Sequence, residues 1–146
     1  MRTYKLVIIG DGGVGKTTFI RRVLGDPFHP SYIATIGVDV RPFDFGGVTF
    51  NIWDCAGQEK FMGLAEGYFI QADCAIVMCD HHESSINNAA TWIKKFKSVP
   101  GNENKPIEMV YNKCDIKPRE GVVNTSTRYN TNTLDVFNNL LAKLTM

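Results

Sequence analysis

The chain predicts an α/β fold: a mostly parallel sheet with one antiparallel hairpin strand and helices on both faces. Three observations predict it. Short, nearly continuous apolar runs at Tyr4–Ile9, Cys74–Cys79 and Ile107–Tyr111 suit strands buried on both faces. Stripes at helical spacing follow two of them: Ile86, Ala89, Ile93 and Phe96, then Leu134, Phe137, Leu141 and Leu144. Gly46-Gly47 joins two β-rich segments, Val38–Phe45 and Val48–Asp54, as a two-residue hairpin turn does. Strands alternating with helices make the sheet mostly parallel, and the hairpin supplies its antiparallel pair.

Taken in order, the first strand ends in glycines and predicts a helix from about Lys16 to Leu24. The hairpin strands come next, then the fourth strand at Cys74–Cys79 and its helix, in which Trp92 lies near the apolar stripe and reads as a packing residue. His81 and His82, between that strand and helix, read as surface-loop residues rather than metal ligands. The last strand is predicted around Val122-Val123, before the final helix.

At 146 residues the chain is most simply one domain. A net charge of +1 sets up no general field toward nucleic acid or anionic lipid, so no direct nucleic-acid partner is expected. Lys94, Lys95 and Lys97 read as the solvated face of a helix. Cys55, Cys74, Cys79 and Cys114 form no CxxC pair, which predicts reduced thiols in a cytosolic or nuclear protein. No apolar run is long enough to span a membrane, and no cysteine follows Cys114 to carry a C-terminal prenyl anchor.

The polar motifs fall at the ends of predicted strands. Gly10–Thr17 reads GDGGVGKT and fits G-x-x-x-x-G-K-[ST] directly after a strand and before a helix. Glycines at 10, 12, 13 and 15 let the backbone curl around a phosphate with its N–H groups inward. The helix adds its positive end. Lys16 can reach the β- and γ-phosphates, and the Thr17 hydroxyl can ligate Mg²⁺. The loop alone leaves ATP and GTP both open. Asp54, at a strand end, can hold the Mg²⁺ hydration shell while the Gly57 N–H faces the γ-phosphate. Gln58 offers a donor and an acceptor, as orienting an attacking water requires.

Asn112-Lys113-Cys114-Asp115 decides the base. The Asp115 carboxylate can accept from guanine N1–H and the 2-amino group, whereas adenine would leave it unpaired at a cost above about 1–3 kcal/mol. Lys113 can lay its stem over one face of the base, with Phe28 on the other side and Asn112 tying this loop to the phosphate loop.

With those motifs in place, the chain resembles small Ras-superfamily GTPases of the P-loop NTPase fold. Trp53 in WDCAGQEKF, EKFMGLAEGYFIQADCAIVM and YIATIGVDV is similar to the Ran subfamily pattern rather than the Ras or Rab one. The resemblance implies a single small-GTPase (G) domain over residues 1–146. It assigns Gly10, Asp11, Gly12, Gly13, Val14, Gly15, Lys16, Thr17, Thr18 and Gly57 to phosphate. Thr17, Thr35 and, through water, Asp54 go to Mg²⁺, and Gln58 with Lys16 to catalysis. Guanine falls to Phe28, Asn112, Lys113, Asp115, Ser126, Thr127 and Arg128, where Ser126-Thr127-Arg128 stands for the family's Ser-Ala-Lys. It implies GTP and GDP as ligands, effectors contacting residues 26–37 and 57–68, nuclear transport receptors among them, and separate activating and exchange proteins. Localisation would be cytoplasm and nucleus.

The sequence departs from this pattern after Asp115. Six residues precede Val122, where the family has a helix, and the family's acidic C-terminal tail has no counterpart. Six extended residues still span roughly 20 Å, and returning along a short strand with one sideways step needs about 14 Å. Both base loops can therefore share one sheet end. The expectation is guanine nucleotide binding that is weaker or faster to exchange, with an edge near Val122 open to a partner or a second copy. The leading functional reading is a slow GTPase switch. The alternative is a GTP-binding interaction module, or a mimic with little turnover. A Rab-like trafficking role stands further off, and Asp115 argues against an ATPase or kinase.

Overall fold

The computed structural model describes residues 2–10, 19–20, 23–24, 32–33, 38–54, 68–112, 123–124 and 133–145. The elements run β1 (Arg2–Gly10), β2 (Tyr32–Ile33), β3 (Val38–Phe45), β4 (Val48–Asp54), β5 (Cys74–Cys79), α1 (Glu83–Ser98), β6 (Ile107–Tyr111), β7 (Val123–Asn124) and α2 (Thr133–Leu144). Phe19, Ile20, Val23 and Leu24 are also helical, inside the helix expected to end at Leu24.

The strands form one sheet in the order β2-β3-β4-β1-β5-β6-β7. β1 pairs in parallel with β4 and β5, β5 with β6, and β6 with β7. β3 is antiparallel to both of its neighbours, β2 and β4, so among the described strands it alone runs against the rest. That is the expected α/β arrangement. The hairpin arms, β5 and β6 have the bounds their apolar patterns imply, and β1 is longer. β2 was not expected: two residues are too short for a period-2 pattern to show.

β5 is buried along its whole length, as a central strand covered on both faces must be. β4 alternates buried and half-buried residues, turning Val48, Phe50 and Ile52 to one face. Leu6, Ile8, Ile76 and Met78 join that face, under Phe19, Ile20 and the α2 residues Val136, Phe137 and Leu140. The opposite face holds Val7, Ile9, Ala75 and Val77 under the α1 residues Ala89, Trp92 and Phe96. Alternation along each strand thus divides one apolar run between two cores.

Both helical stripes are rotated slightly from those the sequence predicts. In α1 the buried positions are Ser85, Ala89, Trp92 and Phe96, with Ile86 and Ile93 half-buried against the same core. In α2 the stripe leans toward Val136 and Leu140, which leaves Leu134 46% exposed and corrects its place on the core face. Lys94 and Lys97 face solvent as expected, while the Lys95 ammonium lies 5.3 Å from the Trp92 ring centre.

Candidate functional site

In an open parallel sheet the ligand crevice lies outside the carboxyl ends of the strands. Strand register brings the described motif residues to that rim. Gly10 ends β1 opposite Met78, and Asp54 ends β4 opposite Ile8. Asn112 follows β6, and its N–H donates to the Cys79 carbonyl at 2.8 Å, pinning the exit of β6 to the end of β5. β7 lies in register beside β6, with Tyr111 opposite Asn124, so its exit faces the same way. Because β3 runs against the others, it starts at this rim, with Asp39 opposite Asp54 and Val38 paired to Ile33.

Three sequence-predicted site residues are thereby brought together: Gly10, Asp54 and Asn112. Gly10 has a φ of 155°, which L side chains rarely adopt, so the last position of β1 favours glycine. Asp54 is 4% exposed and Asn112 fully buried, polar groups held at the rim rather than displayed to solvent. A buried carboxylate at this rim fits a hard, oxygen-seeking cation. The other predicted site residues, namely Asp11 to Thr18, Phe28, Thr35, Gly57, Gln58, Lys113, Asp115 and Ser126 to Arg128, lie outside the described residues, as does Val122. Each of those segments joins a described strand end at this rim, apart from the stretch containing Phe28, which precedes β2.

A family model described as Roc (Ras of Complex, Roc, domain of DAPkinase) matches residues 5–115. The chain belongs to the Roc family of Ras-like GTPase domains. The Roc match runs from β1 through β6 to Asp115 and so contains the phosphate-loop, Asp54–Gln58 and Asn112–Asp115 segments. For a Roc domain the implied ligand is a guanine nucleotide with Mg²⁺, and regulators and effectors come with the family in general. The fold is accordingly that of a P-loop small G protein. No helix among the described residues is long and apolar enough to cross a membrane.

Asp80, the residue immediately after β5, belongs to none of the sequence motifs. It is 2% exposed and sits on the same rim. Its backbone N–H donates to the Ser85 hydroxyl at 3.0 Å. Its Oδ1 accepts from the His82 N–H at 3.0 Å and from the Ser85 hydroxyl at 2.8 Å, bracing the first turn of α1. Burial alone would raise this carboxyl, but the hydrogen bonds from His82 and Ser85 together outweigh it and hold it below the usual carboxylate range. The available signal was an acidic residue directly between an apolar strand and a helix. Cys74 and Cys79 are buried cysteines outside any disulfide. Burial, then the neighbouring Asp73 charge, pushes the Cys74 thiol far above its ordinary value, so it serves packing rather than nucleophilic chemistry.

Proposed function

We propose that residues 1–146 form one Ran-like small-GTPase domain that binds GTP with Mg²⁺, hydrolyses it slowly to GDP, and acts as a nucleotide-dependent switch in nucleocytoplasmic transport. The observation that carries the reading is the convergence of Gly10, Asp54 and Asn112 on one rim, with the guanine-selecting Asn112–Asp115 sequence following β6. In this reading Lys16 and the backbone N–H groups of Gly10–Thr18 hold the phosphates. Gln58 orients the attacking water, and Asp115 accepts from the base edge. Thr17 and Thr35, with Asp54 through water, would hold Mg²⁺, which would supply charge neutralisation to the phosphates. Ser126, Thr127 and Arg128, which follow β7, serve the base in place of the family's Ser-Ala-Lys, with the Thr127 backbone N–H as donor. Residues 26–37 and 57–68 face effectors, and the proposed locations are cytoplasm and nucleus.

The test is calorimetric titration of the full chain with GDP, GTP and ATP in the presence of Mg²⁺, joined to single-turnover hydrolysis. Binding of both guanine nucleotides but not ATP is expected, with Asp115→Ala losing about tenfold or more in affinity. Equal binding of ATP, or no nucleotide binding, overturns the reading. For the transport role, GTP-loaded Gln58→Leu protein should capture nuclear transport receptors that the GDP form does not. Capture in both states or neither removes the Ran-type assignment alone. One observation favours the second reading, an interaction module with little turnover: eleven residues, 112–122, join β6 to β7, where a parallel crossover commonly takes a dozen or more. Nucleotide binding without hydrolysis, even with an activating protein present, selects it.

A further inference from the structure

His81 and His82 stand beside Asp80 at the exit of β5, and the three side chains offer one ligand atom each, all within 4.8 Å of one another. This is tighter than two histidines in a loop would suggest. His82 Nδ1 lies 3.0 Å from Asp80 Oδ1, and the two imidazole rings are 4.1 Å apart at 35°. The group is also anchored. Asp80 is fixed by Ser85 and by the backbone of His82, which sets the direction of the chain into α1. His81 is half-buried, and its Nδ1 is buried with no hydrogen-bond partner among the described residues. A buried ring nitrogen left without a partner is costly, and a coordinated cation is one way to satisfy it.

We infer that Asp80, His81 and His82 form a binding site for a late first-row divalent metal ion, Zn²⁺ above all, separate from any Mg²⁺ held with a nucleotide. Two imidazoles and one carboxylate make a borderline donor set, which suits Zn²⁺, Cu²⁺ or Ni²⁺, whereas Mg²⁺ favours oxygen alone. Three protein ligands leave an open position on a tetrahedral ion for water or a further donor. Zn–N and Zn–O bonds of about 2.0–2.2 Å put neighbouring donors roughly 3.3 Å apart. The Asp80–His82 separation already approaches that spacing, and His82, with its side chain 63% exposed, is free to turn toward a shared ion. The positive end of α1 opposes a cation here. Asp80 offsets it with a full negative charge, and Glu83 adds another in the first turn.

The experiment titrates the full-length chain with ZnCl₂ by calorimetry, at fixed Mg²⁺, with and without GDP. It then repeats the titration with CoCl₂ while recording the visible spectrum. One Zn²⁺ per chain is expected, with d–d bands for Co²⁺ and no thiolate-to-metal charge transfer, since no cysteine is among the ligands. His81→Ala and His82→Ala should each weaken Zn²⁺ by at least about tenfold, while an exposed-lysine control, Lys94→Ala, leaves it unchanged. Should the half-buried His81 not tolerate alanine, the exposed His82 variant decides. Absence of saturable binding overturns the inference, as does wild-type affinity in His82→Ala or a thiolate charge-transfer band. Because Zn²⁺ is titrated with GDP present and absent, failure of this site and failure of nucleotide binding are read separately.

Discussion

Asn102 shows how much of the fold can rest on one side chain. It is 1% exposed, and its Nδ2 donates to the Phe69 carbonyl at 2.9 Å, tying the loop after α1 to the turn before β5. Asn102→Ala would remove this bond, while the Phe69 carbonyl keeps the one it accepts from the Ala72 N–H at 3.2 Å. The expected cost is therefore that of one hydrogen bond, about 0.5–1.5 kcal/mol, read as a lower urea midpoint with an unchanged slope. Asn102→Asp is expected to cost more, because an acceptor would then face an acceptor. Lys5 works similarly on the neighbouring turn. Its Nζ donates to the Ile70 carbonyl at 2.8 Å and lies 4.0 Å from the Trp53 ring centre, while its backbone N–H donates to Asp73 Oδ2 at 2.8 Å. Asp73 returns the bond through its own N–H to the Lys5 carbonyl, at 2.8 Å, and so sets β5 beside β1. Neither role was legible in the sequence, where Asn102 and Lys5 are one polar residue in a loop and one in a strand. Long-range partners leave no mark in local spacing.

Between elements, the β3–β4 hairpin and α2 depend on each other. Gly46 and Gly47 have φ values of 62° and 83°, the left-handed pair that a tight hairpin turn needs. A Cβ on Gly47 would meet open space, whereas one on Gly46 would run into the Leu141 side chain of α2. Gly47→Ala is therefore expected to cost about 1–2 kcal/mol from backbone conformation alone. Gly46→Ala should cost measurably more, because Leu141 must also move; chemical denaturation of the two variants side by side checks the order. On the other side of α2, Glu108 of β6 accepts from Asn139 Nδ2 at 3.0 Å and from Lys143 Nζ at 2.8 Å. That pair fixes the helix against the strand, although Lys143 is too exposed for the ion pair to contribute much. The hairpin was legible because its turn chemistry is local. The Gly46–Leu141 approach was not, since the two lie far apart in the chain.

At the scale of the molecule, the sheet is held between two cores, and Phe137 lies at the centre of the aromatic one. Its ring is 4.9 Å from Phe43, 5.5 Å from Phe50, 6.1 Å from Phe45 and 6.3 Å from Phe19. It thereby joins α2, both hairpin strands and the helical segment that follows the phosphate-loop residues. Phe137→Ala is expected to destabilise by about 3–5 kcal/mol, a large share of the roughly 5–15 kcal/mol available to a domain. If Mg²⁺–GDP binds the folded state alone, saturating nucleotide should recover part of this loss by mass action. Circular-dichroism melts with and without GDP measure both effects.

The sequence by itself determined the α/β class, the hairpin, the bounds of β5 and β6, and the identity of the motif residues. All of these depend on local periodicity, turn residues and spacing. Only the tertiary structure decided the order of the strands, the register in which they pair, and how far α1 and α2 rotate on their faces. Those facts follow from register and packing between distant segments, where burial and pairing across the sheet select among arrangements that the local pattern permits equally.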